Sequence, residues 1–190
     1  MITEAITHNG LTFSVKTEWD ADSGAPWEEE DGHGPVREVR ANFTGYMGKR
    51  PGERLLSYDF NHRGLAYDFA EAMRIAKRDG WGITDKERAA LVATLGREPT
   101  AGEVTVAAVE SDFRRLSGWR NNDWYYVGVV VTLQDTDGDD TPESESLWGI
   151  ESDAHDYLEE IAQELAETLA DRIGDATHVT HGAKRWEVRA

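Results

Sequence analysis

The chain has 190 residues, 39% of them hydrophobic, with seven Trp, six Tyr and five Phe, which is enough for a globular core and too much for a disordered acidic tail. It contains no cysteine, so disulfides, thiolate catalysis and cysteine-ligated zinc are excluded. With 37 acidic against 20 basic residues the net charge is −17, which repels nucleic acid and anionic membranes and attracts basic surfaces.

The opening MITEAITHNG has no basic segment followed by an apolar one and does not read as a signal peptide. The longest apolar run, Trp124 to Leu133, is about half of what a spanning helix needs. A cytoplasmic protein is the expectation. Leu11, Phe13, Val15, Thr17 and Trp19 alternate at period two, the mark of a half-buried strand. ADSGAPWEEEDGHGPV follows as a long irregular loop rich in Gly, Pro and Asp. Val36–Phe43 reads as a strand, KRPGER as a turn and Leu55–Phe60 as a short strand.

From residue 64 the period changes. Leu65, Phe69, Ala72, Met73 and Ala76 fall on one face of a helix over 64–79 that ends at Gly80. Thr84 with Glu87 forms a capping-box pattern opening a helix to Leu95, and Thr100 with Glu103 repeats it for a helix through Val106, Val109, Phe113 and Leu116 to Gly118. WYYVGVVVTL (124–133), β-branched and aromatic throughout, is expected to be a central strand buried on both faces. DTDGDDTPESE is expected to be a polar hairpin loop, with Ser146–Ile150 returning as the partner strand. A last helix over 153–173, capped by Ser152 or Asp153, carries the stripe Tyr157, Leu158, Ile161, Leu165, Leu169 and Ile173. A short Trp186–Val188 strand closes the chain. With no internal repeat and no linker, residues 1–190 read as one α+β domain, a mixed or antiparallel sheet with about four helices, including an acidic loop-helix element at 135–173.

The charge is segregated. Between Asp123 and Asp175 stand sixteen carboxylates and one basic side chain, Arg172, whereas residues 36–122 sum to +3. Salt adaptation would spread acid over the whole surface, so segregation favours a dedicated face. Asp156, Glu159, Glu160, Glu164, Glu167 and Asp171 all lie off the apolar stripe of the last helix. Steps of i, i+4 advance about 6 Å along a helix axis, close to the roughly 7 Å phosphate spacing of a duplex strand. With Asp135, Asp137, Asp139, Asp140, Glu143 and Glu145 from the loop, they form a row of negative charge resembling a nucleic-acid backbone. The alternative is a merely solvated helix face, but such faces mix Lys with Glu because like charges at i, i+4 destabilise a helix.

Other constellations are weaker. Begun at Asp135, a calcium loop would need Gly where Asp140 stands and Glu where Ser146 stands, so no dedicated metal site is expected. Glu30, Asp31 and His33 lie together between glycines, the raw material of a one-metal hydrolytic site or of a His base oriented by a carboxylate. One imidazole among adjacent acids fixes no geometry, and a loop whose His bonds the main chain is the simpler reading. His178 and His181 would share a face only in a helix, which the intervening Val-Thr disfavours. Lys49, Arg50 and Arg54, then Arg74, Lys77 and Arg78, then Arg114, Arg115 and Arg120 form small basic groups that could hold a phosphate or neutralise neighbouring acids. No P-loop, dinucleotide fingerprint or nucleophile elbow is present.

Taken together, PWEEEDGHGPV (26–36), KRPGERLL (49–56), YDFAEAMRIAKRDGWG (67–82), ESDFRRLSGWRNNDWYYVGVVV (110–131) and LWGIE (147–151) resemble a family of uncharacterised proteins encoded by bacteriophages and related mobile elements. In related sequences a Cys is expected where Arg120 stands and a shorter, less acidic segment where DTDGDDTPESE stands. The resemblance implies context but no activity, catalytic residue or cofactor. A small acidic phage protein is similar in kind to accessory proteins that inhibit host restriction or CRISPR enzymes, some by mimicking DNA.

The sequence therefore favours a non-enzymatic protein of the host cytosol. Its partner would be a basic, nucleic-acid-binding host protein, met through Asp137, Asp139, Asp140, Glu143, Asp156, Glu159, Glu160, Glu164, Glu167 and Asp171, with no direct nucleic-acid or membrane binding and with pairing of two copies left open. The alternatives are a metal-dependent hydrolase or nuclease-like enzyme centred on Glu30, Asp31 and His33, and a phage structural or assembly protein whose acidic face is only solvated.

Overall fold

A tight hairpin begins the described chain. In the computed structural model, which describes residues 3–41, 48–58, 61 and 63–187 (side chains of 3–4 and 175–187 excepted), strands β1 (Thr3–His8) and β2 (Leu11–Trp19) pair antiparallel with His8 opposite Leu11. Asn9 and Gly10 make the two-residue turn at φ +50° and +80°, a left-handed geometry that Asn and Gly adopt at low cost. The described residues contain five helices and two antiparallel sheets, an α+β fold as composition and pattern implied. They divide into two compact units, Met1–Ser23 with Trp124–Ala190, and Gly24–Asp123.

In the first unit the sheet order is β1-β2-β6-β7, with β6 (Tyr126–Gln134) inside and β7 (Asp140–Glu151) at an edge. Phe13, Val15, Val127, Val129, Val131 and Ile150 from the sheet meet Leu158, Ile161, Ala162, Ala166, Leu169 and Ala170 of helix α5 (His155–Glu187) in one core. Each large side chain so buried contributes roughly 1.5–3 kcal/mol, which fixes the face of α5 that turns inward. Trp148 lies against Gly128, where any Cβ would come within 2.3 Å of its ring. Asp20 accepts hydrogen bonds from the N–H groups of Asp22, Ser23 and Gly149 and from the Ser23 hydroxyl, pinning the positive-φ Gly149 in β7.

Several expectations are corrected here. The hairpin loop is only the turn at 135–139, because β6 continues to Gln134 and pairs with Asp140, so Asp140, Glu143 and Glu145 stand on a strand. Charged side chains suit an edge strand, since they discourage further pairing. Helix α5 starts at His155, and the Ser152 hydroxyl accepts the Tyr125 N–H instead of capping it. Tyr157, assigned to the apolar stripe, is 48% exposed. The backbone at 178–181 and Trp186–Glu187 is helical, part of α5, so the expected closing strand is absent there; Val188 lies outside the described residues.

In the second unit β3 (Val36–Arg40), β4 (Glu53–Tyr58) and β5 (Arg63–Asp68) form a sheet in the order β3-β5-β4. A single turn, α1 (Pro26–Glu29), interrupts the expected irregular loop. The helix expected at 64–79 is two elements: β5 ends at Asp68, whose carboxylate accepts the Glu71 N–H and caps α2 (Phe69–Asp79). Leu65 and Phe69 stand four apart but belong to different elements, so their helical spacing was coincidental. Helices α3 (Asp85–Leu95) and α4 (Ala101–Arg120) begin at the two capping boxes, and Gly80 and Gly96 end α2 and α3 in left-handed geometry. The core is Leu56, Tyr67, Ala72, Ala76, Val109 and Leu116. Expected strand residues Asn42, Phe43, Asp59 and Phe60 lie outside the described residues.

Candidate functional site

The inward stripe of α5 decides what its other side shows. Asp156, Glu159, Glu160, Glu164, Glu167 and Asp171 are all exposed, and none of them makes an ion pair or hydrogen bond through its side chain. They are spaced along four helical turns with no Lys or Arg among them until Arg172. That arginine is already engaged. It reaches from α5 to β7, contacting Glu145, the Ser144 carbonyl at 3.2 Å and Glu143 at 3.9 Å. The one cation of the acidic stretch therefore joins the helix to the edge strand and leaves the outward row uncompensated.

The strand and turn carboxylates behave differently. Asp140 bonds the Ser14 hydroxyl at 2.7 Å and Lys16 at 2.5 Å, and these two partners hold its carboxyl below the usual range. Asp135 accepts the N–H groups of Asp137 and Asp139 at 2.9 and 3.0 Å, so it builds the turn instead of pointing outward. Asp137 and Asp139 are exposed, with carboxylates that bond nothing. Of the ten residues singled out, Asp140 and Glu143 are engaged within the fold, and eight remain open to solvent.

In the second unit His33 does find carboxylates, but not the expected set. Its Nδ1 lies 2.6 Å from Asp112 Oδ1, and Glu30 stands 3.8 Å from Nε2. Asp31 is exposed and joins neither. Asp112 projects from α4 and also accepts the Gly34 N–H at 2.8 Å and the Tyr67 hydroxyl at 2.6 Å on its other oxygen. Tyr67 is fully buried, and burial together with the Asp112 carboxylate pushes its hydroxyl pKa up, so it stays protonated and donates. The sequence reading missed Asp112, seventy-nine residues from His33. One signal was available: 109, 112, 113 and 116 share a helical face, so Asp112 is an acid on the apolar side of α4.

Among the described residues no group of three His, Asp or Glu side chains converges in a way that could hold a metal ion, and no helix is long and apolar enough to cross a membrane. Compared with family models, with curated proteins and with solved structures, the chain matches none.

Proposed function

We propose that this protein is an accessory protein of a phage or mobile element that binds a basic, nucleic-acid-binding host protein through the outward face of α5 and the 135–139 turn. The reading is supported by the row of six exposed, unpaired carboxylates on α5 beside an arginine already committed to β7. A solvated helix selected for stability alone would interleave Lys at i, i+4, worth about 0.2–0.5 kcal/mol per pair; here that gain is forgone along the whole row. Charge on a helix at near-phosphate spacing would occupy a groove built for a nucleic-acid strand, and inhibition of a restriction or CRISPR nuclease is the consequence. A pull-down from host lysate at low and high ionic strength tests it, followed by competition with duplex DNA. Capture of a nucleic-acid enzyme that releases as salt rises and is displaced by DNA is expected; capture that ignores both salt and DNA contradicts the mimicry.

A second reading, an enzyme at the DGHG loop, is favoured by the Asp112–His33 pair, which orients the imidazole as a general base requires. It predicts hydrolytic turnover lost in His33→Gln without loss of folding. Turnover that survives His33→Gln would remove it.

A further inference from the structure

Outside the acidic face, the second unit holds a cavity of about 430 Å³ between α2, α3 and the start of α4, lined among others by Lys77, Trp81, Arg88, Pro99, Val104 and Thr105. We infer that it is a binding site for a small phosphate ester carrying a planar ring, of the nucleoside monophosphate class. The first reason is that two cations without side-chain partners stand here among arginines that have them. Neighbouring arginines are paired: Arg74 with Glu71, Arg78 with Asp79, Arg97 with Glu103 and Arg114 with Glu87. The side chains of Lys77 and Arg88, from two different helices, make no ion pair or hydrogen bond, and both residues line this one cavity. In a chain with 37 carboxylates, two unpaired cations facing one space mark a place where the counter-charge comes from outside.

Three of the nearby acids are engaged elsewhere, whereas Asp85, three residues before Arg88, is exposed and has no side-chain partner. Asp79 and Glu103 are held by arginines, and Glu87 is bonded to the Thr84 and Ser111 hydroxyls. Arg88 offers a planar fork that matches phosphate oxygens, and Lys77 adds a mobile point charge. Trp81 supplies the second reason. Its N–H bonds the Ala76 carbonyl as the chain leaves the left-handed Gly80, and its side chain packs against the core of this unit while also lining the cavity. The indole is therefore held in place, and a fixed ring beside two cations suits a ligand with a flat aromatic part. The size agrees, since small-molecule sites run from about 300 to 1,000 Å³. A long polyanion is disfavoured by the net charge of −17, whereas a ligand with one phosphate is not.

The test is a titration of the full chain with AMP, and separately with inorganic phosphate, followed through the Trp81 indole resonance assigned with Trp81→Phe. AMP is expected to shift that resonance saturably, with affinity falling as salt rises. The double variant Lys77→Gln/Arg88→Gln, whose positions are exposed and unpaired, should keep the wild-type melting temperature and lose affinity about tenfold or more. Phosphate alone should bind more weakly than AMP, and Trp81→Phe, titrated by calorimetry, should narrow that gap. No saturable shift up to about 10 mM AMP, or equal binding by the double variant, overturns the site. Equal affinity for AMP and phosphate overturns the ring component.

Discussion

Asp112 shows how much one side chain can organise. Its carboxylate gathers the imidazole of His33, the main chain at Gly34 and the buried hydroxyl of Tyr67. Replacing it with Ala leaves the Tyr67 hydroxyl and Gly34 N–H without an acceptor, at about 1–3 kcal/mol each, so urea unfolding should report a loss of several kcal/mol, with Asp112→Asn less affected. Gly34→Ala should destabilise by about 1–3 kcal/mol, because a Cβ there would lie 2.4 Å from the Tyr67 ring, which is fully buried and tied to Asp112. Glu53 supplies a pH dependence. Arg37 grips both its oxygens at 2.7 and 2.8 Å and lowers its pKa below the ordinary 4.5. A depressed carboxyl pKa stabilises the fold above 4.5 and loses that contribution as pH falls through the folded value. Acid titration of stability should therefore be shallower below pH 4.5 in Glu53→Gln than in the wild type. None of these partnerships was legible in the sequence, because each joins residues whose proximity only the sheet and helix packing creates.

At the level of elements, legibility followed local chemistry. The boxes Thr84–Glu87 and Thr100–Glu103 start α3 and α4 where their spacing said they would. Helix α3 buries no residue, so its cap carries a large share of its stability, and Thr84→Ala should cost about 0.5–2 kcal/mol, read by thermal unfolding. Glu103, bonded by Arg97 and by the Thr100 backbone and hydroxyl, is pulled down to about 2 and keeps its cap charged into strong acid. What the pattern hid were strands. For β1 the strongest signal is the Asn9-Gly10 hairpin turn, and for β5 it is Asp68 with Glu71, which marks the start of α2 and so ends the strand before it. The first half of β7 is polar on both sides and is held by its register to β6, which no side-chain periodicity records. For α5, the inward stripe and the outward acids were readable; the use of Arg172 as a tie to β7 was not. The like charges on that helix predict that Glu160→Gln/Glu164→Gln/Glu167→Gln keeps or raises the melting temperature at low salt, a stability gain of a few tenths of a kcal/mol per relieved pair.

For the molecule as a whole, the net charge of −17 resolves into carboxylates that have partners inside the fold and others that do not. Six of the uncompensated carboxylates stand in one row on α5, and that alignment, not the total, carries the functional proposal. On that proposal, function and stability oppose each other on one helix face, as at binding sites selected for a partner. The decisive measurement is the affinity of the captured host partner for the wild type and for Glu160→Ala/Glu164→Ala/Glu167→Ala, at matched ionic strength and with folding verified by melting temperature. The account predicts that the triple variant melts at or above the wild-type temperature and no longer binds. A triple variant that binds its partner as tightly as the wild type would contradict it.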